Sequence, residues 1–150
     1  MSESKDNPQL HVQLFEEDLG LPHQWFFSLM NDTDWTFVIK LSALFEGAVN
    51  HLLYHQVEKP ELAKFLAALS MRGATGKLEL ALKLGAITAE AKRLIDELTV
   101  IRNHCVHGVK NVSFTFSDYY GGLNSAQKAS LRAVFVPFIR ANRRGSGLES

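Results

Sequence analysis

The feature that most restricts the fold is an apolar stripe between Trp35 and Val57. At about 100° per residue, Trp35, Val38, Ile39, Leu41, Phe45, Val49, Leu52, Leu53 and Val57 fall on one side of a helical wheel. Their arc is roughly 160° wide, broader than a coiled-coil seam, so the segment reads as a long helix with a wide face against other elements. Asp32, Thr33 and Asp34 supply side-chain oxygens where its first turn must be capped. One residue breaks the stripe: Glu46 lies near the middle of the arc. A carboxylate there is costly unless it is paired. The expectation is that Glu46 meets Arg102, or the backbone near it, inside the bundle.

The flanking sequence continues in helical terms. Pro60 suits the first turn of a short helix reaching about Ser70, and Gly73 to Gly76 is a break. Lys77 to Leu84 reads as a helix stopped by Gly85. Thr88 can cap the next helix and Glu90 favours its positive end. That helix runs to about His107, stops at Gly108, and carries a narrow core stripe of Leu94, Leu98, Ile101 and Cys105. Val112 to Phe116 alternates well enough for a short strand or extended piece, and Asp118 to Gly122 reads as a turn, which gives a non-helical or strand insert near 111–118. Asn124 or Ser125 caps a last helix to about Asn142, with Leu131, Val134, Phe135 and Phe138 as its apolar face and Pro137 placed to kink it. At the other end, residues 1–10 are polar and read as loose, and His11 to Phe15 reads as a short strand or extended arm. Trp25, Phe26 and Phe27 are expected to pack on the bundle, and 143–150 reads as a frayed tail. The sum is a helical chain with no internal repeat and no linker that demands a second domain, read as one domain over 1–150.

Composition excludes some roles. The chain has 150 residues and a formal net charge of zero, so no global basic field recruits nucleic acid. Its one cysteine, Cys105, cannot form an internal disulfide and fits a reducing compartment. No apolar run approaches the roughly 20 residues of a membrane span. Met1 to Lys5 is polar with no apolar segment behind it, unlike a secretion signal, so a cytoplasmic location is expected.

Chemistry concentrates in Ile101-Arg102-Asn103-His104-Cys105-Val106-His107-Gly108. On the wheel Arg102, Asn103 and His107 leave the core stripe and share a second surface with Ile95, Val100 and Val106. A helix with two such faces commonly meets a second partner, so a symmetric homodimer through this outer face is expected. Arginine can grip a phosphate or carboxylate with two parallel hydrogen bonds, histidine can move a proton near neutral pH, and asparagine can orient either. Together they can cleave RNA without a metal, the histidine acting as base toward a ribose 2′-OH and the arginine stabilising charge on the phosphate. They can equally be structural, with Arg102 neutralising Glu46 while Asn103 and His107 tie backbone ends together.

The pattern Arg102-Asn103-x-x-x-His107 at the end of an amphipathic helix resembles the Arg-x(4–6)-His signature of the HEPN superfamily. The stretch from Gly76 to Thr88, continuing through Leu94, Leu98 and Ile101, and the earlier run Phe37 to Glu46 resemble its mannitol operon repressor branch. The resemblance covers about residues 35 to 116. It implies an all-α, up-and-down helical bundle that commonly dimerises. In the ribonuclease members the motif residues of two subunits meet at the dimer interface, which here implies Arg102, Asn103 and His107. The mannitol repressor branch implies transcription-linked regulation with no evident DNA-reading motif. Toxin-like members often carry a tyrosine two residues after the histidine; here Gly108 and Val109 follow.

The expected function is a non-enzymatic regulatory or interaction protein acting through protein contacts. The alternative is a metal-independent endoribonuclease of a toxin–antitoxin or phage-defence system, with RNA as its partner. No cofactor and no metal are expected. His51 and His55 have the spacing of a metal pair, but no third ligand is placed by the sequence. Cys105 reads as an inert core residue, and Arg140, Arg143 and Arg144 as a solvated basic end. Gly73-Ala74-Thr75-Gly76-Lys77 lacks the ending and the preceding strand of a phosphate loop.

Overall fold

A computed structural model describes residues 8–145. Residues 1–7 and 146–150 therefore lie outside the described residues, as do the side chains of Phe138, Arg140, Arg143 and Arg144. Residues 8–10, read as loose, instead begin the first helix, and residues 143–145, read as a frayed tail, end the last one. The described chain is all-α, with helices and short 3-10 turns and no strand.

The long helix α3 (Asp34–Val57) forms the axis of the fold, after α1 (Pro8–Asp18) and α2 (Trp25–Met30). Thr33 caps it: its hydroxyl accepts the Thr36 N–H at 3.3 Å, and Asp34 adds negative charge at the positive end. The helix stops where Glu58 enters the left-handed region at φ 53°, just before Pro60 prevents continuation. A 3-10 turn (Pro60–Leu62) leads into α4 (Ala63–Ala68), and a loop leads to α5 (Lys77–Lys83). Then come α6 (Ala89–Val106), a 3-10 turn (Val109–Ser113), α7 (Phe116–Gly121) and α8 (Ser125–Gly145).

The boundaries expected for α3 and α6 agree with the structure to within a residue or two. For α6 the reason is local: the Thr88 hydroxyl accepts the Ala91 N–H at 3.1 Å, and Gly108 follows the His107 cap. For α8, Asn124 Oδ1 accepts the Gln127 N–H at 2.9 Å while Gln127 Oε1 accepts the Asn124 N–H at 3.0 Å, a reciprocal capping box.

Two expectations are corrected. His11 to Phe15 is no strand or arm but the middle of α1. What fixes it is tertiary: Glu16, 2% exposed, accepts the backbone N–H groups of Gln24 and Phe26, each at 2.9 Å. A carboxylate from α1 thus caps the start of α2 from outside, and Phe15 stacks on Phe26 beside it. Val112 to Phe116 is likewise no strand. It spans the end of a 3-10 turn and the start of α7, and the expected turn at Asp118 to Gly122 is largely helix. Thr115 caps α7 by accepting the Asp118 N–H at 3.1 Å, and Asp34 Oδ2 takes the Phe116 N–H at 2.8 Å.

The apolar interior forms two clusters along α3. Val38 packs with Leu98, Ile101 and Cys105 of α6, with Phe114 and Leu131 against them. Val49 and Leu53 pack with Leu66 of α4, Leu78 and Ala81 of α5, and Ile95 of α6. The start of α3 therefore meets the end of α6, so the two helices run antiparallel. Burial of side chains such as Leu53 and Leu78 contributes roughly 1.5–3 kcal/mol each. Among the described residues, Phe45 is the side chain that packs against both clusters. Of the aromatic trio on α2, Trp25 and Phe26 are half-buried, whereas Phe27 is 70% exposed.

Gly76 ends the loop before α5 and must be glycine. A Cβ there would lie 2.5 Å from the Arg72 carbonyl oxygen. That approach lets Ser70 and Met71 carbonyls accept the first N–H groups of α5, from Lys77 at 2.8 Å and Leu78 at 3.1 Å. No helix among the described residues is long and apolar enough to cross a membrane.

Candidate functional site

Between the two core clusters the elements around α3 stand apart and leave a cleft of about 380 Å³. Ser42 and Glu46, one turn apart on α3, form one wall, and Thr99, Arg102 and Asn103 of α6 form the facing wall. Ser70 and Arg72 come from the loop that Gly76 holds close, and Phe45, Met71, Ile95 and Leu98 supply the apolar lining. The stripe of α3 is open at this level, which explains why it tolerates a carboxylate in its middle.

Glu46 is accordingly not buried against Arg102. Its side chain is 52% exposed and its Oε1 lies 3.7 Å from the ammonium of Lys77, itself only 1% exposed. Glu46 and Arg102 line the same cleft, but the expected contact between them is replaced by the pair with Lys77. The physical reason is the close loop at Gly76, which brings the first residue of α5 under Glu46. The cation that the stripe required is Lys77, directly after Gly76 at the start of α5.

Other charges around the cleft are matched. Asp96 accepts from Lys92 at 2.8 Å and from Arg72 at 3.4 Å, and Glu79 lies 3.8 and 3.9 Å from Lys83 and Lys92. Arg102 is the exception. Its Nη1 donates to Asn103 Oδ1 at 3.2 Å, and among the described residues no carboxylate pairs with it. The Ser42 hydroxyl has no hydrogen-bond partner, while Thr99 donates to the Ile95 carbonyl at 2.8 Å.

Arg102 and Asn103 thus face one cleft together, and His107 does not line it. His107 is the exposed C-cap of α6, held by its backbone N–H donating to the Asn103 carbonyl at 3.2 Å. The end of α6 is tied down by residues outside the motif. Trp35 Nε1 donates to the Cys105 carbonyl at 3.1 Å, and Asn111 Nδ2 to the His104 carbonyl at 2.6 Å. The motif side chains of Asn103 and His107 are therefore not what secures the helix end.

The sequence reading passed over His104. Its ring lies 5.3 Å from that of Tyr119 and 6.1 Å from that of Phe114, centre to centre, at the edge of a second hollow shared with Lys110, Asp118 and Gln127. The spacing Thr115-x-x-Asp118 was the available signal for a helix there carrying Tyr119. Burial pushes the Tyr119 phenol up from its ordinary value, with the Glu97 carboxylate and then Cys105 adding to it. Burial likewise raises the Cys105 thiol, consistent with an inert core residue.

One further expectation changes. Ile95 belongs to the core, 5% exposed, so it offers no outer face of α6 to a partner, while Val100 is half-buried. Val106, the last residue of α6, stays exposed as expected, and Val109 and Val112 of the following 3-10 turn are exposed too, Val109 to 88%. His51 and His55 stand on the exposed side of α3 with ring centres 4.2 Å apart. Among the described residues, no three His, Cys, Asp or Glu side chains converge where a metal ion could sit.

No protein-family model, curated protein or solved structure matches this chain.

Proposed function

We propose that the chain is a non-enzymatic regulatory protein of the mannitol operon repressor type within a HEPN-like fold, acting in the cytoplasm through protein contacts and as a homodimer. One observation carries this reading. Arg102 and Asn103 face the cleft while His107 caps the helix outside it, so one chain alone does not complete a cleaving site and the histidine would have to come from a second copy. Acid–base cleavage needs base and charge stabiliser within hydrogen-bond reach of the same phosphodiester. The exposed valine shoulder at Val106, Val109 and Val112 supports a protein contact there.

The test combines sedimentation with an RNA assay. Purified protein should sediment as a dimer at micromolar concentration, and Val109→Glu should shift it to monomer. A panel of structured and single-stranded RNAs should remain intact. Metal-independent cleavage of any of them, lost in His107→Ala and Arg102→Lys, would remove the regulatory reading in favour of the ribonuclease.

That second reading has one observation of its own. His107 is exposed beside the valine shoulder and Arg102 has no carboxylate partner among the described residues, so neither is committed to holding the fold. A dimer formed through the shoulder would bring the histidines of two copies together. Cleavage would then survive chelators, and DNA would resist for lack of a 2′-OH.

A further inference from the structure

The cleft between α3 and α6 carries more positive charge and more hydrogen-bond donors than the protein itself satisfies. Lys77 is matched by Glu46, and Asp96 is shared by Lys92 and Arg72. Arg102 remains without a carboxylate among the described residues. Its one hydrogen bond, to Asn103 Oδ1 at 3.2 Å, has a directional consequence. With the amide oxygen turned to the guanidinium, the N–H donors of Asn103 are left for another acceptor. Across the cleft, the Ser42 hydroxyl is buried in the wall and has no hydrogen-bond partner. Phe45 and its apolar neighbours form the lining between these donors.

A planar fork with a free face, an amide with donors left over and a hydroxyl opposite are the donors that an oxyanion needs. The apolar lining requires that the anion carry a body. A volume of about 380 Å³ admits a small molecule and no folded chain. We infer that this cleft binds a small organic oxyanion, a carboxylate or a phosphate monoester on a compact apolar body. Arg102 grips the head group, Asn103 and Ser42 complete its hydrogen bonds, and the body lies on Phe45. Arg72, already engaged by Asp96, contributes field more than contact. On the regulatory reading, which this inference deepens, the anion is the effector that the protein senses.

The experiment is a nuclear magnetic resonance titration of the full ¹⁵N-labelled chain with phenyl phosphate, phenylacetate and inorganic phosphate. At least one of the two organic anions should give saturable shifts at Ser42, Thr99, Arg102 and Asn103, with a Kd below about 1 mM. Whichever binds more tightly identifies the head group as phosphate or carboxylate. Arg102→Met keeps the stem and removes the fork, and should weaken binding at least about tenfold. Lys110→Met, at the second hollow, should leave it unchanged. No saturable shift with either organic anion overturns the inference. So does inorganic phosphate binding as tightly as both, or unchanged affinity in Arg102→Met. If that variant does not fold, Asn103→Leu decides in the same way. A chain that binds phenyl phosphate and also cleaves RNA would keep this inference and remove the regulatory reading.

Discussion

The indole of Trp35, at the start of α3, donates to the carbonyl of Cys105, in the last turn of α6, across 3.1 Å. Seventy residues of chain separate the two. The bond satisfies a helix-end carbonyl that α6 cannot satisfy itself, and it ties the last turn of α6 to the start of α3. Trp35→Phe retains most of the apolar contact and removes the donor. It should cost about 1–2 kcal/mol in urea unfolding. The amide of His107 should also exchange faster with solvent. An unchanged midpoint would show that the carbonyl finds another donor.

Glu46 and Lys77 form an asymmetric pair, the base buried and the acid half in water. Removing the acid leaves an ammonium inside with nothing beside it. Glu46→Ala should therefore destabilise by about 1–2 kcal/mol, less than the 3–5 kcal/mol typical of fully buried pairs because Glu46 is partly solvated. Lys77→Met keeps the stem and removes the charge. Its stability should lie within about 1 kcal/mol of the parent. A Lys77→Met chain less stable than Glu46→Ala would contradict this account.

The end of α3 stores a correctable strain. Glu58 holds φ 53°, ψ 28°, a region in which a Cβ costs about 1–2 kcal/mol. Glycine there removes the steric cost and adds some unfolded-state entropy. Glu58→Gly should raise the unfolding free energy by about 0.5–1 kcal/mol, and Glu58→Ala should not. Thermal melts of the two variants side by side decide the point.

Alkaline pH should weaken the fold. Cys105 and Tyr119 both hold their protons more tightly in the folded chain than at their ordinary values of 9.0 and 10.0. Above those values the unfolded chain loses protons that the folded chain keeps, so unfolding becomes more favourable as pH rises. Their contribution is complete below about pH 9 and falls away as pH climbs through the raised folded values. Urea midpoints from pH 7 to 11 should show a decline that starts later in Cys105→Ala. Native Cys105 should also react slowly with iodoacetamide at pH 8, and quickly once the chain is unfolded.

The helices most legible in the sequence were those whose signals are local. Thr33 and Thr88 cap α3 and α6, and periodic apolar residues run between each cap and its stop. What escaped was set by partners distant along the chain. Nothing near His11 to Phe15 reports that Glu16 will cap another helix, so short-range alternation there read as extended. Val112 to Phe116 misled for two reasons: Asp34 takes the Phe116 N–H from far upstream, and the local Thr115 cap on Asp118 was outweighed by the alternation. In the candidate site, the helix carrying Arg102, Asn103 and His107 was legible. The divergence of His107 from the other two was not, because it depends on how far the helix continues past Asn103 and where a cleft opens. Wheel angles also misplaced Ile95, since α6 is covered on two sides and not along one stripe.

Phe45 packs against both apolar clusters and lies beneath the cleft. A molecule resting on that ring would press on the seam where the two halves of the bundle join. Its arrival would bear on both clusters at once, with no hinge or moving domain required. A protein built this way could report a bound ligand through how firmly its two ends are held, while its average shape stays the same.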